Sequence, residues 1–245
     1  MRIAVIADIH GNLPALEAVL ADIRRRDVTR IVNLGDCVSG PLWPREVCEL
    51  LMASNNLTVR GNHDRWVSGS DPQRMGTSDR FAHTRLNKVH LAWLGSLPPI
   101  AEADPGIVAC HGTPANDNQH LIEEESDCRL VRAHPSAIRK RLGYLRASVV
   151  LCGHSHQQHL IKLADGPLIL NPGSVGCPSR DGPCEVRRAS ESVSTDARYA
   201  VLISGNNGVT GELLSIPYDW RAASAQAEKN GNPAWARGLR TGWFL

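Results

Sequence analysis

The amino-acid sequence of this 245-residue chain predicts a layered α/β fold. Short apolar runs, each bounded by Gly, Asp or Asn, are typical of buried strands. The first three of these runs alternate with two segments of helical periodicity, and this alternation is typical of layered α/β proteins. Polar clusters of Asp, Asn and His directly follow several runs, and the strand ends of an α/β sheet are where functional sites assemble.

The first five elements alternate in type. The first helix has apolar residues at three- and four-residue steps, beginning with Leu13 and Leu16, and it ends in arginines that suit the C-terminal end of a helix dipole. The second helix has Pro44 in its first turn, where proline is tolerated. The predicted elements are a strand at 3–7, a helix at 12–26, a strand at 31–34, a helix at 44–52 and a strand at 57–59.

The remaining chain is expected to add a second set of strands. Residues 65–99 are interpreted as a helical insert beside the site, with one helix at 79–94. Three consecutive glutamates at 123–125 are interpreted as a solvated loop or a helix start, and 180–198 as an exposed loop of no assigned function. Turn signals at Asp165-Gly166 and at 205–208 predict hairpins. We expect strands at 107–110, 149–152, 158–163, 168–170, 199–204 and 209–216, helices at 134–145 and in the tail 219–245, and a single domain over 1–245.

The composition is that of an ordinary globular protein, with 42% hydrophobic and 21% charged residues and a formal net charge of +2. This near-neutral charge argues against a nucleic-acid partner. No apolar run approaches the roughly 18 residues that span a bilayer, so no membrane association is expected. The seven cysteines show no CxxC spacing and favour a reducing compartment. A strand that starts at residue 3 leaves no room for a signal peptide. We therefore expect a cytoplasmic protein, whose oligomeric state the sequence does not specify.

Five polar clusters carry the chemistry of the chain. They are Asp8-Ile9-His10, Gly35-Asp36, Gly61-Asn62-His63-Asp64, Cys110-His111-Gly112 and Gly153-His154-Ser155-His156. Their carboxylate, carboxamide and imidazole groups are too many for one tetrahedral ion and suit two divalent ions that share a carboxylate. Residues i and i+2 of extended backbone face the same way, so each Asp-x-His or His-x-His pair can reach one centre. Because no thiolate is among these donors, Mn, Fe, Zn or Ni is favoured, with Mn preferred.

This ordered set of motifs resembles the calcineurin-like metallophosphoesterase superfamily over at least residues 1–176. The runs at 8–13, DIHGNL, and 171–176, NPGSVG, look like those of its small bacterial phosphodiesterase-like members. The resemblance implies an α/β (α+β) fold of four layers, an αββα sandwich, with a dinuclear metal site. It implies the following ligands: Asp8, His10 and His156 for one ion, Asn62, His111 and His154 for the other, and Asp36 as the bridge. His63 is implied as the catalytic imidazole.

The function expected from this site is hydrolysis of a phosphodiester or a small phosphorylated metabolite, with nucleotides among the candidates, by a hydroxide that two metal ions activate. A protonated His63 can donate a proton to the leaving oxygen, with Asp64 or Asp36 as the group that orients the imidazole. Asn12 either caps the helix that follows it or contacts a substrate phosphate. Arg180 is a further candidate for a phosphate contact.

Three alternatives remain open: a phosphomonoesterase, a dinucleoside polyphosphate hydrolase, and a non-catalytic protein-binding scaffold on the same fold. Residues 37–40 read Cys-Val-Ser-Gly after Asp36, where Ser/Thr protein phosphatases carry an Asp-Arg-Gly run, so protein phosphatase activity is not expected. A scaffold should have lost His63 or several of the ligands, and the chain retains all of them.

Overall fold

The computed structural model of the chain describes residues 1–126, 129–178, 194–205 and 208–242. The strands are β1 (Arg2–Ile6), β2 (Arg30–Asn33), β3 (Leu57–Thr58), β4 (Ile100–Asp104), β5 (Ile107–Cys110), β6 (Glu123–Ser126), β7 (Arg129–Arg132), β8 (Val149–Leu151), β9 (Gln158–Lys162), β10 (Leu168–Pro172), β11 (Ala197–Gly205) and β12 (Gly208–Ile216). The helices are α1 (Leu13–Arg25), α2 (Pro44–Met52), α3 (Asn62–Gly69), α4 (Thr77–His83), α5 (Lys88–Ser96), α6 (Pro135–Leu142), α7 (Trp220–Lys229) and α8 (Pro233–Thr241).

Two five-stranded sheets form the centre of the molecule. The first has the order β12-β11-β1-β2-β3 and the second has the order β4-β5-β8-β10-β9. β1, β2 and β3 run parallel in the first sheet, and β5, β8 and β10 run parallel in the second. The carboxyl ends of parallel strands share one edge of a sheet, so the loops that follow β1, β2, β5 and β8 can meet there.

The two sheets face each other across an apolar core. Alternate residues of each strand point to opposite faces, so Ile3 and Val5 of β1 pack between the sheets, while Ala4 and Ile6 pack under the helices. Val149 and Leu151 of β8 reach the same inter-sheet core from the other side. Full burial of an aliphatic side chain contributes about 1.5–3 kcal/mol, so this layer is a large part of the stability.

Helices cover both outer faces. Leu16 of α1, Val47 of α2 and Leu94 of α5 lie in the core on the outside of the first sheet. Ile138 of α6 packs on the outside of the second sheet, against residues such as Val150 and Ile169. The layers are therefore helix, sheet, sheet, helix, and the expected four-layer αββα sandwich is confirmed. None of the helices within the described ranges is long and apolar enough to cross a bilayer.

The insert differs from the single helix predicted at 79–94. Two helices, α4 and α5, occupy this segment, and the chain between them is not helical. Asn87 is the reason for the break, because its Oδ1 accepts hydrogen bonds from the backbone N–H groups of Val89 and His90 and so starts a new helix.

The glutamates at 123–125 are neither a solvated loop nor a helix start. They form strand β6, which pairs antiparallel with β7. Glu123 is buried, whereas Glu124 and Glu125 are exposed. β4, whose five residues pair with β5, and β7 were likewise not predicted.

Both predicted hairpins are present. β9 pairs antiparallel with β10 around Asp165, which has a positive φ of 52°, and β11 pairs with β12. Residues 206–207 at the second turn lie outside the described residues. The expected loop at 180–198 falls mostly outside them as well, including Arg180, but Ala197 and Arg198 at its end are buried residues of β11.

Asp22 joins α1 to the first sheet. Its buried carboxylate accepts a hydrogen bond from the Tyr199 hydroxyl of β11 and one of 2.7 Å from Nε of Arg26, and it pairs with Arg25. Burial alone would raise the pKa of Asp22, but the hydrogen bonds from Tyr199 and Arg26 outweigh it and lower the pKa below the usual value. Asp22 therefore stabilises the fold in its ionised form.

We expect the Asp22→Asn substitution to lower the free energy of unfolding by about 2–3 kcal/mol at pH 7. The loss is smaller than for a fully buried ion pair because solvent reaches the side chains of both Arg25 and Arg26. The folded-state pKa is below the unfolded one, so this contribution is complete above about pH 4 and declines as the pH falls through the folded value. Urea denaturation at pH 7 and pH 3 measures it. The exposed Glu17→Gln on the same helix is the control, and a loss of equal size at both pH values would contradict the assignment.

Candidate metal centre

The polar clusters converge where the strands end. Asp8 and His10 follow β1, Asp36 follows β2, His111 follows β5, and the loop after β8 carries two more histidines. Asn62 and His63 are the first residues of α3. Sequence separations of up to about 150 residues thus close into one site, because the parallel strands bring their ends to a common edge.

Two groups of three side chains could each hold a metal ion: Asp8, His10 and His156, and Asp36, His111 and His154. Within each group the ligand atoms lie within 4.8 Å of one another. In the first group, Nε2 of His156 lies 3.4 Å from Oδ1 of Asp8 and 3.2 Å from Nε2 of His10. All six residues are buried.

The two groups adjoin each other through Asp36. Its Oδ2 lies 3.3 Å from Nε2 of His111, in its own group, and 3.9 Å from Nε2 of His10, in the other. Asp8 makes the reciprocal approach, with Oδ1 at 3.9 Å from Nε2 of His111. The six side chains therefore form one contiguous centre.

The backbone at these residues is not extended, although the i, i+2 spacing was interpreted on the assumption that it is. Asp8, His10, Asp36, His154 and His156 all have positive φ values, between 51° and 68°. This left-handed region is costly for residues other than glycine, and side chains held in it cluster at functional sites. These side chains come together because tight turns follow the strands, so the prediction that extended backbone directs each pair to one centre was wrong about the backbone.

Backbone carbonyl groups orient three of the imidazoles. Nδ1 of His10 lies 2.7 Å from the Ser39 carbonyl oxygen, Nδ1 of His111 lies 2.7 Å from that of Leu34, and Nδ1 of His156 lies 3.0 Å from that of Cys177. In each ring Nδ1 is the donor, which leaves Nε2 as the atom that faces the other ligands. Such contacts set the tautomer and the ring direction of metal-binding histidines.

The electrostatics are those of a site for cations. Burial lowers the pKa of His111, but the negative charges of Asp36 and Asp8 outweigh it and raise the pKa to about 10. Burial raises the pKa of Asp36, and the neighbouring imidazoles of His111 and His63 reverse this and hold it well below the usual value. Burial together with the charge of His156 lowers the pKa of His10 to about 4. Burial also raises the pKa of Asp8, but the charge of His156 outweighs it and lowers the pKa, so two ionised carboxylates are enclosed among imidazole nitrogens.

Asn62 provides a test of whether a cation fits. Its side chain is 1% exposed, and its buried Oδ1 has no hydrogen-bond partner among the residues that the structure describes. A buried carbonyl oxygen without a partner costs about 1–3 kcal/mol, so such atoms need an explanation. Coordination of a metal ion supplies one, since the backbone N–H of His63, the next residue, donates to Oδ1 of Asp36 and so places Asn62 beside that group of donors.

His63 lies at the rim of this centre and contacts Asp79, a residue that the sequence analysis did not single out. Nδ1 of His63 is 2.7 Å from Oδ1 of Asp79 in α4 and 3.2 Å from Oγ of Ser39. Burial lowers the pKa of His63, but the charges of Asp36 and Asp79 outweigh it and raise the pKa. Neither Asp64 nor Asp36 is hydrogen-bonded to the ring, so the expectation that one of them orients it was wrong.

Asp64 instead holds the backbone of two ligand loops. Its Oδ2 accepts hydrogen bonds from the N–H groups of Asp36 and Gly61, at 2.8 and 2.9 Å, and its Oδ1 accepts one from Cys37 at 2.9 Å. Burial and the charge of Asp36 raise the pKa of Asp64 to about 6. The two loops are so close that a Cβ at Gly61 would clash with Oδ1 of Asp36, which requires glycine at this position.

Asn12 is a helix cap, which is one of its two expected roles. Its Oδ1 accepts a hydrogen bond from the N–H of Ala15, and its Nδ2 donates to the Gly176 carbonyl and to the Tyr218 hydroxyl. Because the side chain is fully buried and its polar atoms are engaged, the expected contact with a substrate phosphate is corrected to a structural role. The other candidate for such a contact, Arg180, lies outside the described residues.

The buried Glu123 supports the loop that carries His154 and His156. Its Oε1 accepts a hydrogen bond of 2.6 Å from Ser155 and lies 3.0 Å from Nε2 of His159. This contact was missed because a buried glutamate at the start of an exposed acidic strand has no distinctive sequence pattern. The His120 ring stacks on His154, with centroids 4.6 Å apart.

Known proteins resemble this chain in sequence and in fold. The sequence model of the calcineurin-like phosphoesterase family matches residues 1–158. The uncharacterized protein MJ0912 of Methanocaldococcus jannaschii is 29% identical in an alignment 257 positions long, which covers 95% of this chain and 94% of that protein. The crystal structure of a metallophosphoesterase from Sphaerobacter thermophilus superposes with a TM-score of 0.75 at 26% identity, covering 99% of this chain and all of that one.

The hypothetical protein PH1004 of Pyrococcus horikoshii OT3 has the same fold, with a TM-score of 0.76 at 21% identity over 98% of each chain. The family match extends over more than half of the sequence and includes the clusters from Asp8 to His156. This chain therefore belongs to the calcineurin-like phosphoesterase family.

Proposed function

We propose that this protein is a metal-dependent phosphoesterase whose centre holds two divalent ions. Asp8, His10 and His156 would hold one ion, Asn62, His111 and His154 the other, and Asp36 would bridge them. The observation that carries this proposal is the pair of adjoining buried groups, with Oδ2 of Asp36 close to a histidine of each. Membership of the family supports hydrolysis of phosphoric esters.

The donors are all carboxylate, carboxamide or imidazole groups, which suit Mn, Fe, Zn or Ni. Of these ions, Mn is the one that we prefer. Such ions, when bound, supply Lewis acidity that activates a water molecule and offsets the negative charge of the phosphoryl oxygens.

His63 would act as the general acid. With Nδ1 bound to Asp79, Nε2 is the nitrogen that we assign to the phosphoryl group. As water attacks phosphorus and the bond from phosphorus to the leaving oxygen breaks, the proton on Nε2 passes to that oxygen. Asp79 stabilises the imidazolium before the transfer and holds the ring in place.

The substrate that we propose is a phosphodiester or a small phosphorylated metabolite, with nucleotides among the candidates. The preference for a diester is supported by the resemblance of residues 8–13 and 171–176 to small phosphodiesterase-like proteins. We also propose that residues 1–245 work as one domain, since β11 and β12, from the last third of the chain, complete the first sheet. The cysteines Cys37, Cys48, Cys110 and Cys152 are buried and outside any disulfide, which is in keeping with the cytoplasmic location that we propose.

The test is hydrolysis by protein that has been stripped of metal with a chelator and then reloaded separately with Mn²⁺, Fe²⁺, Zn²⁺ or Ni²⁺. The substrate panel contains bis-p-nitrophenyl phosphate, p-nitrophenyl phosphate, cyclic nucleotides and dinucleoside polyphosphates. We expect no turnover by the stripped protein, full turnover with Mn²⁺, and a higher kcat/KM for the diester than for the monoester.

Each other outcome removes a defined part of the proposal. Equal activity of stripped and reloaded protein would refute the metal dependence. Faster hydrolysis of the monoester or of a dinucleoside polyphosphate would refute the diester preference. Binding of two ions with no turnover of any substrate would favour the protein-binding scaffold.

A further inference from the structure

Helix α8, which packs against α7, forms one wall of the metal centre. The Trp235 side chain of α8 is 7% exposed, and its ring centroid lies 6.1 Å from that of His10, at an interplanar angle of 65°. A Cβ added at Gly40 would lie 3.1 Å from Cη2 of Trp235, so the indole also touches the loop that follows Asp36. The family model matches residues 1–158, so this wall comes from a part of the chain beyond that match.

The same helices anchor two loops beside the centre. Leu42 and Cys177 are buried in one apolar cluster with Trp235 and Leu239. Nδ2 of Asn230, at the end of α7, donates a hydrogen bond of 2.9 Å to the Pro41 carbonyl oxygen. The tail therefore packs against residues 40–42 and 177 and restrains where they lie.

These loops carry the carbonyl groups that orient one half of the site. Ser39 accepts from Nδ1 of His10, and Cys177 accepts from Nδ1 of His156. In the other half, Nδ1 of His111 is held by the carbonyl of Leu34, a fully buried residue of the inter-sheet core. The tail thus contacts the loops whose carbonyl groups orient His10 and His156, whereas the carbonyl that orients His111 lies in the core between the sheets.

We propose that Trp235 is a positioning residue for the Asp8–His10–His156 half of the centre, acting through the His10 ring and the loop at residues 39–42. This inference rests on the proposed two-ion site. Loss of the indole should weaken the ion of that half more than the other, because the carbonyl groups that orient its two imidazoles lie in loops against the tail, whereas the carbonyl that orients His111 lies in the sheet core. Removal of a group that orients a metal ligand typically lowers metal affinity about 10- to 100-fold.

Trp235→Leu is the decisive substitution, because leucine keeps apolar volume in the tail while removing the ring beside His10. Leu239→Ala is the matched control, since Leu239 is fully buried in the same cluster and its loss weakens the tail without changing the contact with His10. Trp235→Phe tests rescue by a smaller ring. Metal content after equilibrium dialysis against stepped free Mn²⁺ gives the affinity of each ion, and the Mn²⁺ electron paramagnetic resonance spectrum distinguishes a coupled pair from an isolated ion.

We expect wild type, Trp235→Phe and Leu239→Ala to bind two ions with a coupled spectrum. Trp235→Leu should lose affinity for one ion by about 10-fold or more and show the spectrum of an isolated ion at intermediate free Mn²⁺. Two ions of wild-type affinity in Trp235→Leu would overturn the inference, as would an equal loss in Leu239→Ala, which would assign the effect to folding of the tail. Wild-type protein that binds fewer than two ions would instead overturn the proposed function on which the inference rests.

Discussion

Replacing His63 with alanine is expected to lower kcat by about 10²- to 10⁴-fold while both ions remain bound, because the variant loses the general acid and keeps every proposed ligand. The backbone N–H of residue 63, which donates to Oδ1 of Asp36 at 3.0 Å, survives the substitution. Metal content measured on the same sample separates loss of the acid from loss of the ions. A variant that turns over as fast as wild type would show that the assigned role is wrong.

The leaving group provides a second measurement of the same prediction. p-Nitrophenolate is a good leaving group and needs little protonation. The ribose oxygen that leaves when a cyclic nucleotide is opened is a poor leaving group and needs a proton. The loss in His63→Ala should therefore be larger for the cyclic nucleotide than for bis-p-nitrophenyl phosphate. Equal losses on the two substrates would indicate that His63 only binds the phosphoryl group.

Asp79 should act through His63. Asp79→Asn is expected to lower kcat on the order of 10²-fold, because a carboxamide holds the ring without stabilising its protonated form. Adding Asp79→Asn to His63→Ala should cause no further loss, since residues that act as a unit are not additive. The exposed Asp71 in the same insert caps the short turn at Pro72–Arg74, so Asp71→Asn is the matched control and should retain full activity. A full additional loss in the double variant would refute the coupling.

The second large effect is expected at Asp64. In Asp64→Asn one of the two accepting oxygens becomes an NH₂ group, which then faces a backbone N–H of Asp36, Cys37 or Gly61. We expect a loss of about 2–4 kcal/mol in the free energy of unfolding and a 10- to 100-fold loss of metal affinity, because the loops of both Asp36 and Asn62 lose their common support.

Urea denaturation and equilibrium dialysis against free Mn²⁺ measure the two effects of Asp64→Asn. Ser68→Ala, on the same helix, is the control, because it removes a hydroxyl that donates to the Asp64 backbone carbonyl at 2.8 Å and leaves the carboxylate contacts intact. Normal metal affinity in a destabilised Asp64→Asn variant would show that the carboxylate supports the fold and not the site.

Much of the framework follows from local patterns. The first sheet and its helices were predictable because buried strands of four or five apolar residues and an amphipathic helix such as α1 have distinct periods. Short or exposed elements were not. β4 and β6 contain acidic residues and acquire strand structure only by pairing with β5 and β7, so no local signal marks them.

The proposed ligands from Asp8 to His156 could be named from the sequence, because each follows a recognisable strand or helix boundary and has a side chain that binds metals. The way in which they converge could not be predicted from the sequence. Turns with left-handed backbone at Asp8, His10, Asp36, His154 and His156 bring them together, and such strain persists only when the surrounding structure holds it in place.

The sequence by itself determined the layered fold and indicated the side chains that we propose as metal ligands, since both depend on residue type and local spacing. Tertiary structure alone decided which groups support those side chains. Asp79 reaches His63, Asp64 joins two loops, and Trp235 packs beside His10, each across a separation that no local pattern encodes. The physical reason is that the folded chain decides which groups lie close enough to form a hydrogen bond or a packing contact. The role of an Asp or a Trp in supporting the site therefore depends on its neighbours in space and not on its neighbours in sequence.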